Sequence, residues 1–146
     1  MTADRKDLST SAWGALLQVH AAVVPVLDRQ LVAAAGVPLR HYDVLLELAS
    51  APERKLRMSE LADRVVLSRT RVSRVVEEMA AAGLVVREQN PEDGRSAYAA
   101  LTEEGLRRYR EAAPTYLAGI EEHFAQRLSD RELKALAATL HRVRDA

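Results

Sequence analysis

The chain contains no cysteine, which excludes disulfides, thiolate zinc sites and cysteine redox switches together. Aromatic residues make up only 4%, with one Trp and one Phe, so the core is expected to consist of Leu, Val and Ala. Net charge is missing as well. The 21 basic residues balance 21 acidic ones, and bulk charge alone points to no polyanionic partner. No apolar run is read as approaching the roughly eighteen residues a membrane span requires. The opening stretch, MTADRKDLST, is too polar for a secretory leader. A cytoplasmic protein without a membrane partner is therefore expected. With 146 residues, 48% hydrophobic and 29% charged, the chain is long enough for one well-filled domain.

What the chain does have is an uneven distribution of charge. Between Arg54 and Val76 there are seven basic side chains, Arg54, Lys55, Arg57, Arg64, Arg69, Arg71 and Arg74, against Glu60 and Asp63 alone. Periodicity places helices around this segment. Ser9, Thr10 and Ser11 offer N-caps for a long helix reaching about Ala35, with Trp13, Leu16, Leu17, Val23, Val24, Leu27 and Leu31 as its stripe. Pro25 is expected to bend it. Gly36 is read as its C-cap, and Pro38 opens a second helix that Pro52 ends. Two long helices close the chain. Thr102 caps one running to about Arg127, and Ser129 with Glu132 forms a capping box for the last.

The middle of the chain carries the chemistry. Ser59 is read as the cap of a brief helix from Glu60 to about Val66, and Ser68 as the cap of another from Arg69 to Ala82, closed by Gly83. Two helices separated by barely a turn make a helix-turn-helix. In the second, Val72, Val75, Val76 and Met79 fall at core spacing, which leaves Arg69, Thr70, Arg71, Ser73 and Arg74 facing outward. Arginine can bond guanine O6 and N7 with two donors, and short hydroxyls reach phosphates or base edges. A valine-rich strand over Leu84–Glu88, the turn NPEDGRS at 90–96 and a return strand over Ala97–Leu101 then form a β-hairpin. Hung on the recognition helix, that hairpin makes a winged helix. Its tip can carry Arg95 into a narrow minor groove, with Asp93 as the arginine's partner and Gly94 supplying the sharp bend.

The stretch from MSELADRVVLSRTRVSRVV to LTEEG resembles the DNA-binding lobe of the MarR family of bacterial transcriptional regulators. The matching pieces are ELA at 60–62, Ser68 and Arg74 in the recognition helix, GLVVR at 83–87, the DGR of the wing at 93–95, and LTEEG at 101–105. The resemblance implies a single domain over 1–146, mainly α with a small β-hairpin. Within it, 38–102 is the winged helix-turn-helix lobe, while 1–36 and 103–146 supply long N- and C-terminal dimerisation helices. It further implies a homodimeric repressor on a pseudo-palindromic stretch of double-stranded DNA, and the residues expected to read that DNA are Ser68, Arg69, Thr70, Arg71, Ser73, Arg74 and Arg95. Leu133, Leu136, Leu140 and Val143 form the apolar stripe of the last helix and are assigned to the dimer interface. Such regulators release DNA when a small aromatic or phenolic effector binds, and Trp13, His20, His41 and Tyr42 are the candidate lining of that site.

Other classes fit the residues less well. There is no nucleotide-binding glycine loop and no nucleophile elbow, and the adjacent carboxylates Glu77–Glu78 and Glu121–Glu122 do not face each other on helices. No enzyme is expected. The four histidines, at 20, 41, 123 and 141, lack metal-ligand spacing, so neither metal nor other cofactor is expected. A winged helix used only to bind protein is the alternative, since fold alone does not set function.

Overall fold

The computed structural model describes residues 2–67, 69–89, 92 and 97–146. Helix α1, Arg5–Ala35, begins ahead of its expected caps. Ser9 and Thr10 lie inside it and donate their hydroxyls to the Arg5 and Lys6 carbonyls at 2.9 and 2.8 Å. A hydroxyl that bonds back to the carbonyl four residues earlier is satisfied inside a helix and need not mark its start. From Leu8 to Leu27 the helix carries no charged side chain. By length and composition it could cross a membrane, although only 6% of its most apolar stretch is buried. The expectation that no segment reaches this length is therefore corrected: Ser, Gln and His interrupt the apolar string without adding charge. The helix runs on through Pro25 and ends at Gly36, whose φ of 66° is the left-handed conformation of a C-cap.

Helix α2, Leu39–Ser50, takes Pro38 as its N-cap residue. Its first N–H, on Leu39, donates to Asp28 Oδ1 of α1 at 2.8 Å. Strand β1, Lys55–Arg57, follows a 3₁₀ turn at Pro52–Arg54. Helices α3, Met58–Arg64, and α4, Val72–Ala81, are joined through a second 3₁₀ turn at Arg69–Arg71. Strands β2, Val85–Gln89, and β3, Ala97–Leu101, then lead into α5, Glu103–His123, a 3₁₀ turn at Ala125–Arg127, and α6, Asp130–Arg144. The hairpin pairs Val85 with Leu101 and Gln89 with Ala97. It is not alone. The basic connector before α3 forms β1, which pairs Leu56 with Ala99, so the sheet has three strands in the order β1-β3-β2.

By internal contact the chain divides into Met1–Leu27 with Tyr116–Ala146 as one unit, and Asp28–Thr115 as the other. The second holds the core. Leu31, Val44, Leu45, Leu48, Leu61, Val76 and Met79 are all fully buried there. Tyr42 is buried among them, its ring 5.7 Å from that of Tyr109. Thr102 secures the start of α5 as its sequence position predicts: its hydroxyl accepts from Gly105 N–H at 2.9 Å and donates to the Gly83 carbonyl at 2.7 Å. In the first unit, α6 buries no residue at all. Its start is the expected capping box, with Glu132 N–H on Ser129 Oγ at 3.1 Å and Ser129 N–H on Glu132 Oε1 at 3.0 Å. Helix α5 stops at His123, short of the expected Arg127.

Candidate nucleic-acid interface

Helix α3 starts one residue before the expected cap. Ser59 lies in its first turn, and Glu60 reaches back to accept from Arg57 N–H at 3.2 Å, so that Arg57 is the N-cap residue. After Val65 the chain turns. Asp43 of α2, itself buried, accepts there from Leu67 N–H at 2.8 Å and from Val66 N–H at 3.1 Å. One turn further along α2, Glu47 has its carboxyl pushed above the usual range, first by burial and then by the charge of Asp43, with Arg64 opposing.

The recognition element differs from its expected form. Arg69, Thr70 and Arg71 form a 3₁₀ turn, and the α-helix begins only at Val72 with Arg71 as an N-cap residue that makes no side-chain cap bond. Ser68, the expected cap, lies outside the described residues. The division between faces is nevertheless clean. Val75, Val76 and Met79 are buried and Val72 is half-buried, whereas Arg69, Thr70, Arg71, Ser73 and Arg74 are all exposed. Arg69 Nη2 stands 4.0 Å from Asp63, a loose contact. Among the described residues no ion pair engages Arg71 or Arg74. At the other end of α4, Glu78 accepts from Arg40 Nε at 3.0 Å and lies 3.0 Å from His41 Nε2. The His41 bond, followed by the Arg40 bond, holds the Glu78 carboxyl below the usual carboxylate range.

Beside the wing, Tyr98 of β3 faces two cations of β1. Arg57 Nε donates to its hydroxyl at 3.3 Å, and Lys55 Nζ lies 5.3 Å from the ring centre. Sequence reasoning counted these bases but did not place them on the sheet. The wing-tip residues Asp93, Gly94 and Arg95 lie outside the described residues.

The remaining candidates are spread over both units. Trp13 is 61% exposed and His20 is exposed on α1, within the first unit. His41 and Tyr42 are buried in the second, the one paired with Glu78 and the other in the core. Leu133 is half-buried, Leu136 and Leu140 are each 37% exposed, and Val143 is 69% exposed. A cleft of about 530 Å³ that sequence reasoning missed lies within the first unit, walled by Val19, Val23, Phe124, Leu128 and Leu136, with His123 and Arg127 among its polar lining. Among the described residues no group of three or more His, Asp or Glu side chains could hold a metal ion.

A short helix, a turn, a helix with a basic outer face and a hairpin packed beside it define a winged helix-turn-helix. The chain belongs to the MarR family of transcriptional regulators, which residues 35–96 match. It is 31% identical to Sco3205, a MarR family transcriptional regulator from Streptomyces coelicolor solved in complex with DNA, with 99% of this chain and 90% of that chain covered and a TM-score of 0.87. AbsC, another MarR family regulator of Streptomyces coelicolor, is 28% identical over 99% of this chain and 96% of its own, with a TM-score of 0.85. An organohalide-sensing regulator in its 2,4-dichlorophenol-bound form shares the fold alone, at 19% identity, 99% and 86% coverage and a TM-score of 0.82. No curated protein matches the chain.

Proposed function

We propose that the protein is a homodimeric, sequence-specific DNA-binding repressor, released from its operator by a small aromatic or phenolic ligand. The observation that carries this reading is the exposed face formed by Arg69, Thr70, Arg71, Ser73 and Arg74, whose helix is held from behind by Val75, Val76 and Met79. Guanidiniums left exposed, short hydroxyls between them and a buried anchoring face are what major-groove reading requires. Ser68 and Arg95 are proposed as further DNA contacts, with Asp93 and Gly94 in support of Arg95. The solved DNA complex of Sco3205 supports the same reading.

The dimer joins the terminal helices, within 1–36 and 103–146, of two copies, and the lobe at 38–102 is the DNA-binding part. Its support is the large uncovered apolar surface on α1 and α6, from Trp13, Leu16 and Leu17 to Leu136, Leu140 and Val143. Surface of that extent marks an interface. It also gives the uncharged stretch of α1, Leu8 to Leu27, a purpose outside a membrane: its apolar length meets a second copy, and the protein works in the cytoplasm. For the effector, the 2,4-dichlorophenol bound by the organohalide-sensing regulator supports the aromatic or phenolic reading. Of the expected lining, Trp13 and His20 stay exposed on α1, and the cleft beside His123 and Arg127 in the same unit is the place where a carboxylate or phenolate would find donors. Footprinting the purified protein on its own upstream DNA tests the whole reading. Protection of two half-sites one helical turn apart is expected, and no protected site at any concentration overturns it in favour of a protein-binding winged helix.

A further inference from the structure

The residues proposed to read DNA lie between two buried valines, with only the half-buried Val72 among them on the core side. Val65 is 2% exposed and Val75 is 2% exposed. Between them, among the described residues, no side chain is buried, and Val66 is 77% exposed and Leu67 39%. Arg71, the N-cap residue of α4, makes no side-chain cap bond. Yet a recognition element reads bases only if its first turn is held to a fraction of an ångström, because bidentate hydrogen bonds fail quickly with misplacement.

The corner is held from another helix. Asp43 extends from α2, buried to 9% exposure, and its Oδ2 takes both Leu67 N–H at 2.8 Å and Val66 N–H at 3.1 Å, with Oδ1 3.4 Å from the latter. A charged acceptor for two backbone donors is roughly twice as strong as a neutral one. It does from outside what an N-cap does from within, and it does so where the chain leaves α3 for the recognition turn. We propose that Asp43 is a positioning residue for DNA binding, seating the recognition element through these two N–H groups without meeting DNA itself. This rests on the DNA-binding reading above.

The test compares full-length parent, Asp43→Ala and Asp43→Asn, all assayed well below their unfolding midpoints. Affinity is measured by fluorescence anisotropy for the footprinted operator and for a scrambled duplex of the same composition. Hydrogen exchange of the Val66 and Leu67 amides is followed in parallel. Asp43→Ala is expected to lose roughly ten- to a hundredfold in operator affinity, the scale set by losing a bond to a charged group. Affinity for the scrambled duplex and its salt dependence should stay at parent values, because the phosphate-contacting bases remain. Both amides should exchange faster. Asp43→Asn, which keeps one acceptor oxygen, should fall between. A folded Asp43→Ala that discriminates operator from scrambled duplex as the parent does overturns the proposal, and so does a parallel loss on both duplexes, which would mean that the carboxylate matters only to stability. A parent that does not discriminate at all removes the DNA reading beneath it, a separate result.

Discussion

Gly105 lies against the backbone of Leu84: a Cβ at Gly105 would stand 2.1 Å from the Leu84 carbonyl oxygen and 2.7 Å from Leu101 Cδ1. The first turn of α5 is thus pressed onto the point where the hairpin begins, with Thr102 N–H on that same carbonyl at 3.1 Å. In an open helix, Gly→Ala would stabilise by up to about 1 kcal/mol. Here the neighbour is backbone and cannot swing aside. Gly105→Ala is therefore expected to destabilise by about 1–3 kcal/mol, the usual range for overpacking. Thermal unfolding followed by circular dichroism decides the sign, and a midpoint at or above the parent's would refute the argument.

Glu78 links α4 to α2 in a pH-dependent way. Its carboxyl is held below the ordinary 4.5 by His41 and Arg40. The folded state thus favours the ionised form, and the stability this adds is present above pH 4.5 and is lost as pH falls through the lowered folded value. Glu78→Gln should reduce stability at neutral pH by an amount that shrinks as the medium is acidified below that point. Urea titrations at neutral pH and near pH 3 would check it (about one and a half units below the carboxyl's usual range). A gap of the same size at both values would mean that the charge plays no part.

The terminal helices give a prediction about assembly. Burying a leucine contributes on the order of 2 kcal/mol, and Leu136 and Leu140 are each 37% exposed in the single chain. The double variant Leu136→Glu/Leu140→Glu should sediment as a monomer at concentrations where the parent is a dimer. A monomeric parent at micromolar concentration would sink the dimer reading.

Salt should act strongly on binding. If about seven basic groups per dimer touch phosphate, the logarithm of affinity falls with that of salt concentration at a slope of roughly −6. Affinity that barely changes between about 50 and 200 mM salt would point instead to a protein partner.

Arg95, Arg71 and Arg74 should separate by groove. Arg95→Ala is expected to weaken binding most on operators with A·T-rich flanks, where a narrow minor groove favours an inserted arginine. Asp93→Ala should act like a milder version of it. Loss of a base contact at Arg71 or Arg74 should relax preference at particular base pairs by about 1–3 kcal/mol, whereas loss of a phosphate contact lowers affinity evenly. Arg95→Ala binding both kinds of flank as tightly as the parent would make the wing tip an ordinary solvated loop.

Much of the lobe could be read from local pattern. The spacing of Val75, Val76 and Met79 separated core from surface on α4, and Thr102, Ser129, Glu132 and Gly36 announced helix ends through chemistry that acts within a few residues. Legibility stopped where partners are distant. Three residues, Lys55–Arg57, are too few to show alternation, and only pairing with β3 more than forty positions later makes them a strand. Nothing in the local sequence marks Asp43, because its partners are amides 23 and 24 residues away. The 3₁₀ turn at Arg69–Arg71 has a composition that an α-helix would accept equally well, so nothing local announces it.

That grip on the corner has a consequence for how such a regulator changes over evolutionary time. Asp43 bonds to main-chain N–H groups, which every residue but proline supplies, so it is indifferent to which side chains the recognition stretch displays. Arg69, Thr70, Arg71, Ser73 and Arg74, none of them buried, are free to be exchanged without disturbing the anchor. A gene duplicate could acquire a new operator by drift on that outer face while its frame stays in register, and only a proline at position 66 or 67 would be barred outright.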